Sequence, residues 1–153
     1  MQAKTRLFGT IDISDDKIIV LESGMIGFPD MRHFALIFDV DKEDGGKIKW
    51  LQSMDEPEMA FPVMDPTFIK KDYNPAINEE ILKPLGKLTE ENTFVLTTVT
   101  VPRELEKMSI NLKAPIIINS ETNKGAQIIV EDDMPVKYMI YDLLKSRKEK
   151  AGE

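Results

Sequence analysis

The chain has 153 residues, no cysteine, and 20 Lys+Arg against 27 Asp+Glu, a net charge of −7. One domain of this length can bury roughly 70% of its extended-chain surface without covalent staples, and the missing thiols exclude disulfides, thiolate catalysis and Cys-based zinc sites. The acidic balance opposes direct contact with nucleic acid or anionic lipid, and no apolar run approaches the ~20 residues of a membrane span, so a soluble cytoplasmic protein that attracts basic partners is expected.

Short β-runs separated by turn chemistry predict a mainly β chain, an antiparallel barrel-like or sandwich domain over residues 1–153 without repeats or linkers. In Thr5–Ile13 the alternation of Leu7, Ile11 and Ile13 against Arg6, Thr10 and Asp12 predicts one half-buried strand. Ser14-Asp15-Asp16 turns it into a strand over Lys17–Leu21. Phe34–Phe38, apolar on both faces, reads as a central strand. Gly45-Gly46 offers a tight reversal before Lys47–Ser53. Ala60–Met64 reads as a strand that Pro62 places at an edge or bulge, and Thr93–Val101 as a β-branched strand stopped by Pro102.

The clearest hairpin runs up Pro115–Asn119, turns over Ser120–Gly125 with Gly125 expected in the left-handed region, and returns along Gln127–Glu131. Asn78–Leu85 carries a short-helix signature: an Asn cap, two glutamates in the first turn and Gly86 beyond. Val136, Met139, Ile140, Leu143 and Leu144 form one helical stripe, predicting an amphipathic C-terminal helix over residues 135–147 that packs on the barrel. A basic tail follows.

Little in the chain suggests catalysis. His33 is the only histidine, which leaves no His-based metal triad and no Ser-His-Asp arrangement, and beside Phe34 at a strand start it reads as structural. The pairs Asp15-Asp16, Glu79-Glu80, Glu90-Glu91 and Asp132-Asp133 could serve acid–base chemistry or Mg²⁺, but each sits where carboxylates cap free N–H groups. Gly24-Met25-Ile26-Gly27 has the spacing of some nucleotide-clamping loops without the lysine and helix of a phosphate loop. Met25, Ile26, Phe28 and Pro29 either plug a barrel end or face a partner, and plugging is the stronger expectation. Trp50 is expected in the core rather than at an interface.

Taken in order, "GTIDI", "GMIGFPD", "WLQSMDEPEMAFPV", "VLTTVTVP", "NLKAPIIIN" and "KGAQIIVEDD" resemble the flagellar assembly factor FliW family over residues 5–133. The resemblance implies a small, non-enzymatic β-barrel-like domain without cofactor that works by exchanging partners. FliW-like proteins bind flagellin in the cytoplasm, and they bind CsrA, a small basic RNA-binding repressor of translation. Export of flagellin then frees them to sequester CsrA. On this footing Ile26, Phe28, Pro29, Asp55, Glu56, Asn111 and Lys113 are the candidate partner-binding residues, no metal or cofactor site is implied, and a monomer is expected.

Two asparagines framing "NLKAPIIIN" are expected to fix a strand end and its loop. The stretch "MPVKYMIYDLLKSRKEKAGE" departs from the family's usual ending. That leaves open a flagellin-binding chaperone without CsrA regulation, and a carboxylate-based enzyme as the reading from another class.

Overall fold

The computed structural model describes residues 1–37 and 48–145. Eleven short strands are present among them: β1 Gln2–Thr5, β2 Gly9–Asp12, β3 Ile19–Leu21, β4 His33–Ile37, β5 Lys49–Ser53, β6 Ala60–Met64, β7 Thr93–Thr100, β8 Ser109–Ile110, β9 Ile116–Asn119, β10 Lys124–Gln127 and β11 Tyr138–Met139. The expectation of a mainly β, barrel-like domain holds: β7-β6-β5-β4-β3-β10-β9 form a closed seven-strand barrel because β9 pairs back onto β7. All pairs in the ring are antiparallel except β3 with β10, which runs parallel through Val20↔Lys124 and Leu21↔Gly125. Closure leaves the ring no free edge for another chain to extend.

Inward-facing Leu21, Phe34, Leu51, Val63, Leu96, Ile116 and Ile118 fill the interior, each contributing about 1.5–3 kcal/mol of burial. The first half of β7 pairs with β9, from Thr93↔Asn119 to Leu96↔Ile116, whereas its second half pairs with β8 through Val99↔Ile110 and Thr100↔Ser109. At this fork β8 and β11 extend the sheet away from the barrel. Met64, Ile69, Tyr73, Val99, Ile110, Leu112 and Ile140 form a second core beneath the extension.

Several expectations require correction. The strand expected over Thr5–Ile13 is a hairpin: the Thr5 hydroxyl accepts from Phe8 N–H at 2.9 Å and donates to Gly9 O at 2.7 Å, turning the chain back so that β1 pairs with β2. Alternation survives such a turn, and for that reason it misleads. Ile11 and Ile13 do face an apolar cluster, with Ala3, Ile18, Ala35 and Met54, but Leu7 is exposed at the turn. Trp50 is half-buried outside the barrel, edge-on to Phe8 at 6.3 Å, and its neighbour Leu51 takes the interior place.

Pro62 lies in an inner strand opposite Trp50 and not at an edge; it is tolerated because β7 pairs only with Val63 and Met64. In the turn after β9 the positive φ (56°) belongs to Asn123, not Gly125. Gly125 serves by close packing: a Cβ there would meet Leu21 Cδ2 at 2.8 Å and Ile117 O at 2.9 Å. The returning strand is Lys124–Gln127, earlier than expected, while Ile128 and Val130 continue the contact by donating N–H to Pro115 O and Lys113 O, both at 2.9 Å.

The short helix is present as α1, Glu79–Leu82, capped by Asn78 Oδ1 on Glu80 N–H at 2.9 Å and followed by one 3-10 turn, Lys83–Leu85. The C-terminal helix is also present, but it starts at 141, because β11 holds Tyr138 and Met139 against β8 where helix was expected. The stripe is therefore split. Ile140 is buried and Leu144 packs on the second core, while Val136, Met139 and Leu143 face solvent. Residues 146–147 of that expectation, Gly45-Gly46 and Phe38 lie outside the described residues.

Candidate partner-binding surface

In the loop from Gly24 to Asp30, Met25 is buried and the residues from Ile26 to Asp30 are exposed. Gly24 has φ 71°, and a Cβ on it would lie 2.6 Å from the carbonyl oxygens of Phe28 and Pro29, so only glycine fits that close approach. Phe28 N–H donates to Met25 O at 2.8 Å and closes the turn. Met25 and Met31 are driven into the barrel end, and Phe28 lies edge-on to Phe61 at 5.6 Å. Ile26 stands out at the tip, 48% exposed. Plugging and presentation, read as alternatives from the sequence, are shared between neighbours.

Two grooves flank Ile26. One, of about 390 Å³, is lined by Glu22, Ile26, Ile81, Pro84, Lys124 and Ile129. Ile81 and Ile129 are, like Ile26, exposed large apolar residues. The other, of about 310 Å³, is lined by Ile26, Phe61, Pro62, Thr98, Thr100 and Asn111, where the fork of β7 opens the sheet. Gln127 lines both grooves. The larger groove is walled mostly by apolar groups and the smaller as much by polar as by apolar ones, and the larger suits an apolar protein segment better than a charged small molecule.

Asp55 anchors the far end of the loop. Its Oδ2 accepts from Arg32 N–H at 2.7 Å and His33 N–H at 2.8 Å, its Oδ1 lies 3.1 Å from His33 Nδ1, and Arg32 Nε donates to Pro29 O at 3.3 Å. Burial pushes the carboxyl pKa up, but the backbone and side-chain hydrogen bonds of His33 and Arg32 outweigh it and hold the value below the ordinary 3.8. Glu56 is exposed beside it, its N–H held by Ser53 Oγ at 2.9 Å.

The asparagines of "NLKAPIIIN" do what their positions suggested. Asn111 Oδ1 accepts from Lys113 N–H at 3.0 Å and Ala114 N–H at 3.1 Å, forming the turn that enters β9. Asn119 Oδ1 accepts from Glu121 N–H at 2.9 Å while its Nδ2 donates to Leu85 O at 2.8 Å, tying the strand end to the turn after α1. Lys113 Nζ donates to Asp132 O at 2.8 Å, and the Tyr73 hydroxyl donates to Leu112 O at 2.6 Å; burial first, then Asp132, pushes the Tyr73 pKa up to about 12.

The structure thus brings Ile26 and Asn111 to one groove and sets Phe28 against Phe61 in its wall, whereas Pro29 is exposed further along the loop, Asp55 holds the Arg32 and His33 amides, and Lys113 is turned toward Asp132. Sequence reasoning missed Ile81, Ile129 and Gln127. The adjacent Ile128 and Ile129 carried a signal, since one of two neighbouring apolar residues on an extended chain must face outward. Gln127 carried none. Among the described residues no three His, Asp or Glu side chains converge as metal ligands would, and no helix is long and apolar enough to cross a membrane.

Comparison with known proteins adds the following. The family model described as FliW protein matches residues 2–140, which takes in β11. Proteins called flagellar assembly factor FliW are similar along nearly the whole chain. The relative from Lachnospira eligens is 45% identical over 97% of this chain and 99% of its own length. That from Lachnoclostridium phytofermentans is 43% identical over 100% and 99%, and that from Thermotoga neapolitana 38% over 94% and 93%. A crystal structure of the flagellar assembly factor FliW superposes with a TM-score of 0.81 over 92% of this chain and 96% of that one, at 24% identity, a likeness of fold.

Proposed function

The chain belongs to the FliW family of flagellar assembly factors, and from that premise we propose that it binds flagellin in the cytoplasm and, once flagellin has been exported, binds and antagonises CsrA, coupling flagellin synthesis to export. One observation carries the flagellin half: Ile26, Ile81 and Ile129 stand exposed around a single groove. An amphipathic helical segment docks by laying its apolar face in such a groove. In this reading Ile26 contacts the partner, with Phe28 and Pro29 beside it, and Asn111 forms the wall of the neighbouring groove.

The net charge of −7 supports the second half. Negative potential steers a basic RNA-binding protein onto the surface and, once bound, lowers that protein's attraction for RNA without any catalytic residue. Asp55, its charge favoured by its hydrogen bonds, and the exposed Glu56 belong to that acidic surface.

Titration calorimetry of the purified protein with CsrA of the same bacterium, alone and after saturation with its flagellin, tests the proposal. Binding of CsrA alone and its exclusion by flagellin is the expected result. Binding of flagellin without any binding of CsrA would make the protein a flagellin chaperone, and binding of neither would overturn the function.

A further inference from the structure

The loop of Ile26 and the turn of Asn111–Ala114 are far apart in sequence, yet one side chain bridges them. Gln127 Oε1 accepts from Ile26 N–H at 2.8 Å, and Gln127 Nε2 donates to Ala114 O at 3.2 Å. Among the hydrogen bonds of the loop, Gly24 N–H to Leu21 O, Phe28 N–H to Met25 O and Met31 N–H to Phe28 O are local. The bond from Ile26, across 101 positions, ties the exposed tip to another part of the barrel.

The chemistry of the bridge is selective. One side presents a donor and the other an acceptor, so a primary amide satisfies both, while a carboxylate at neutral pH satisfies only the first and a hydrocarbon neither. Asn would be one methylene shorter. The half-buried Gln127 also lines both grooves, so the residue that fixes Ile26 sits at the boundary it defines.

We propose that Gln127 is the positioning residue of the partner surface: by latching Ile26 to Ala114 it holds the isoleucine upright as the ridge between the two grooves, ready for a helical partner. The role rests on the flagellin-binding reading for its purpose but not for its geometry. An exposed ridge on an untethered loop would have to be ordered when the partner binds, and the latch removes that cost in advance.

The test uses the full-length protein as Q127L, Q127E, I26A and the I26A/Q127L double variant, with amide hydrogen exchange at Ile26 and calorimetry with flagellin as readouts. In Q127L the Ile26 amide is expected to exchange roughly fivefold faster, the equivalent of one net hydrogen bond, and flagellin affinity to fall by a similar factor. Because Gln127 acts through Ile26, the double variant is expected to bind within about twofold of I26A alone. Q127E keeps an acceptor for Ile26 N–H but is repelled by the Ala114 carbonyl, so its exchange is expected to lie between wild type and Q127L.

Unchanged Ile26 exchange in Q127L would overturn the latch. Wild-type exchange in Q127E would show that Ala114 plays no part and would overturn the bridge. Additive affinity losses would make Gln127 a direct contact instead. If the wild-type protein does not bind flagellin, the functional reading fails, and the exchange rates still decide whether the latch exists.

Discussion

Replacing Asn119 with alanine should cost more stability than its position in a turn suggests. The side chain is 1% exposed and makes two good hydrogen bonds, from Glu121 N–H at 2.9 Å and to Leu85 O at 2.8 Å. Each contributes about 1 kcal/mol net. Leu85 O keeps a second donor, the Thr122 hydroxyl at 2.9 Å, and Glu121 is exposed so that water can reach its N–H. The penalty for orphaned groups is therefore small, and the expected loss is about 2–3 kcal/mol, or roughly 6–10 °C in Tm for a domain of this size. Urea unfolding followed by the fluorescence of the single Trp50 measures it; a loss under about 0.5 kcal/mol would refute the assignment of Asn119 as the tie between β9 and the turn after α1.

Asn119→Asp adds a sign to the same argument. Its carboxylate would be buried against the Leu85 carbonyl, so its folded pKa lies above the unfolded value of roughly 3.9. Such a group binds protons more tightly when folded. Stability of the variant is thus best below the unfolded value and falls as pH rises through the raised one. A profile parallel to wild type from about pH 4 to 7 would contradict it.

Two further perturbations probe the barrel and the loop. Gly125→Ala forces a methyl to within 2.8 Å of Leu21 Cδ2 and 2.9 Å of Ile117 O, and a loss of about 1–3 kcal/mol by overpacking is expected in chemical denaturation; an unchanged midpoint would mean that the β3–β10 seam yields freely. Asp55 has the opposite linkage to the aspartate above: its folded pKa lies below the ordinary 3.8. Its contribution is present above that value and is lost as pH falls through the lower one. Acid titration of stability should therefore be shallower in Asp55→Asn than in wild type below about pH 4, and equal slopes would remove Asp55 as the anchor of Arg32 and His33.

The strands legible in the sequence were those whose signals are local. Ala60–Met64 could be read to the residue, β4, β7 and β9 to within one, and the helical stretch after the Asn78 cap as α1 together with its 3-10 turn, because β-branched runs, Pro102 and that cap act on their own neighbourhoods. The β1–β2 hairpin was hidden because the period-two pattern continues through a turn that the Thr5 hydroxyl stabilises. The C-terminal helix was read too early because Val136 and Met139 complete a helical stripe with Ile140, whereas pairing with β8 holds Tyr138 and Met139 extended.

The candidate surface divides along the same line. Ile26, Phe28 and Pro29 were legible because apolar groups in a glycine-bounded loop are conspicuous, and so were the asparagines, whose side chains reach only their own turn. Gln127 was not, because its role depends on β10 lying parallel to β3, which brings residue 127 alongside a loop 101 positions away. The loop joins β3 to its antiparallel partner β4, whose ladder pairs only Ile19 with Phe34 and Val20 with His33, so the tip around Ile26 lies beyond the reach of that pairing. The Gly24–Gly27 tip closes on itself, and something outside it must fix its direction. The side-chain amide of Gln127, on the strand across the seam, meets the Ile26 amide there, which places the proposed control of the exposed ridge in the barrel wall rather than in the loop.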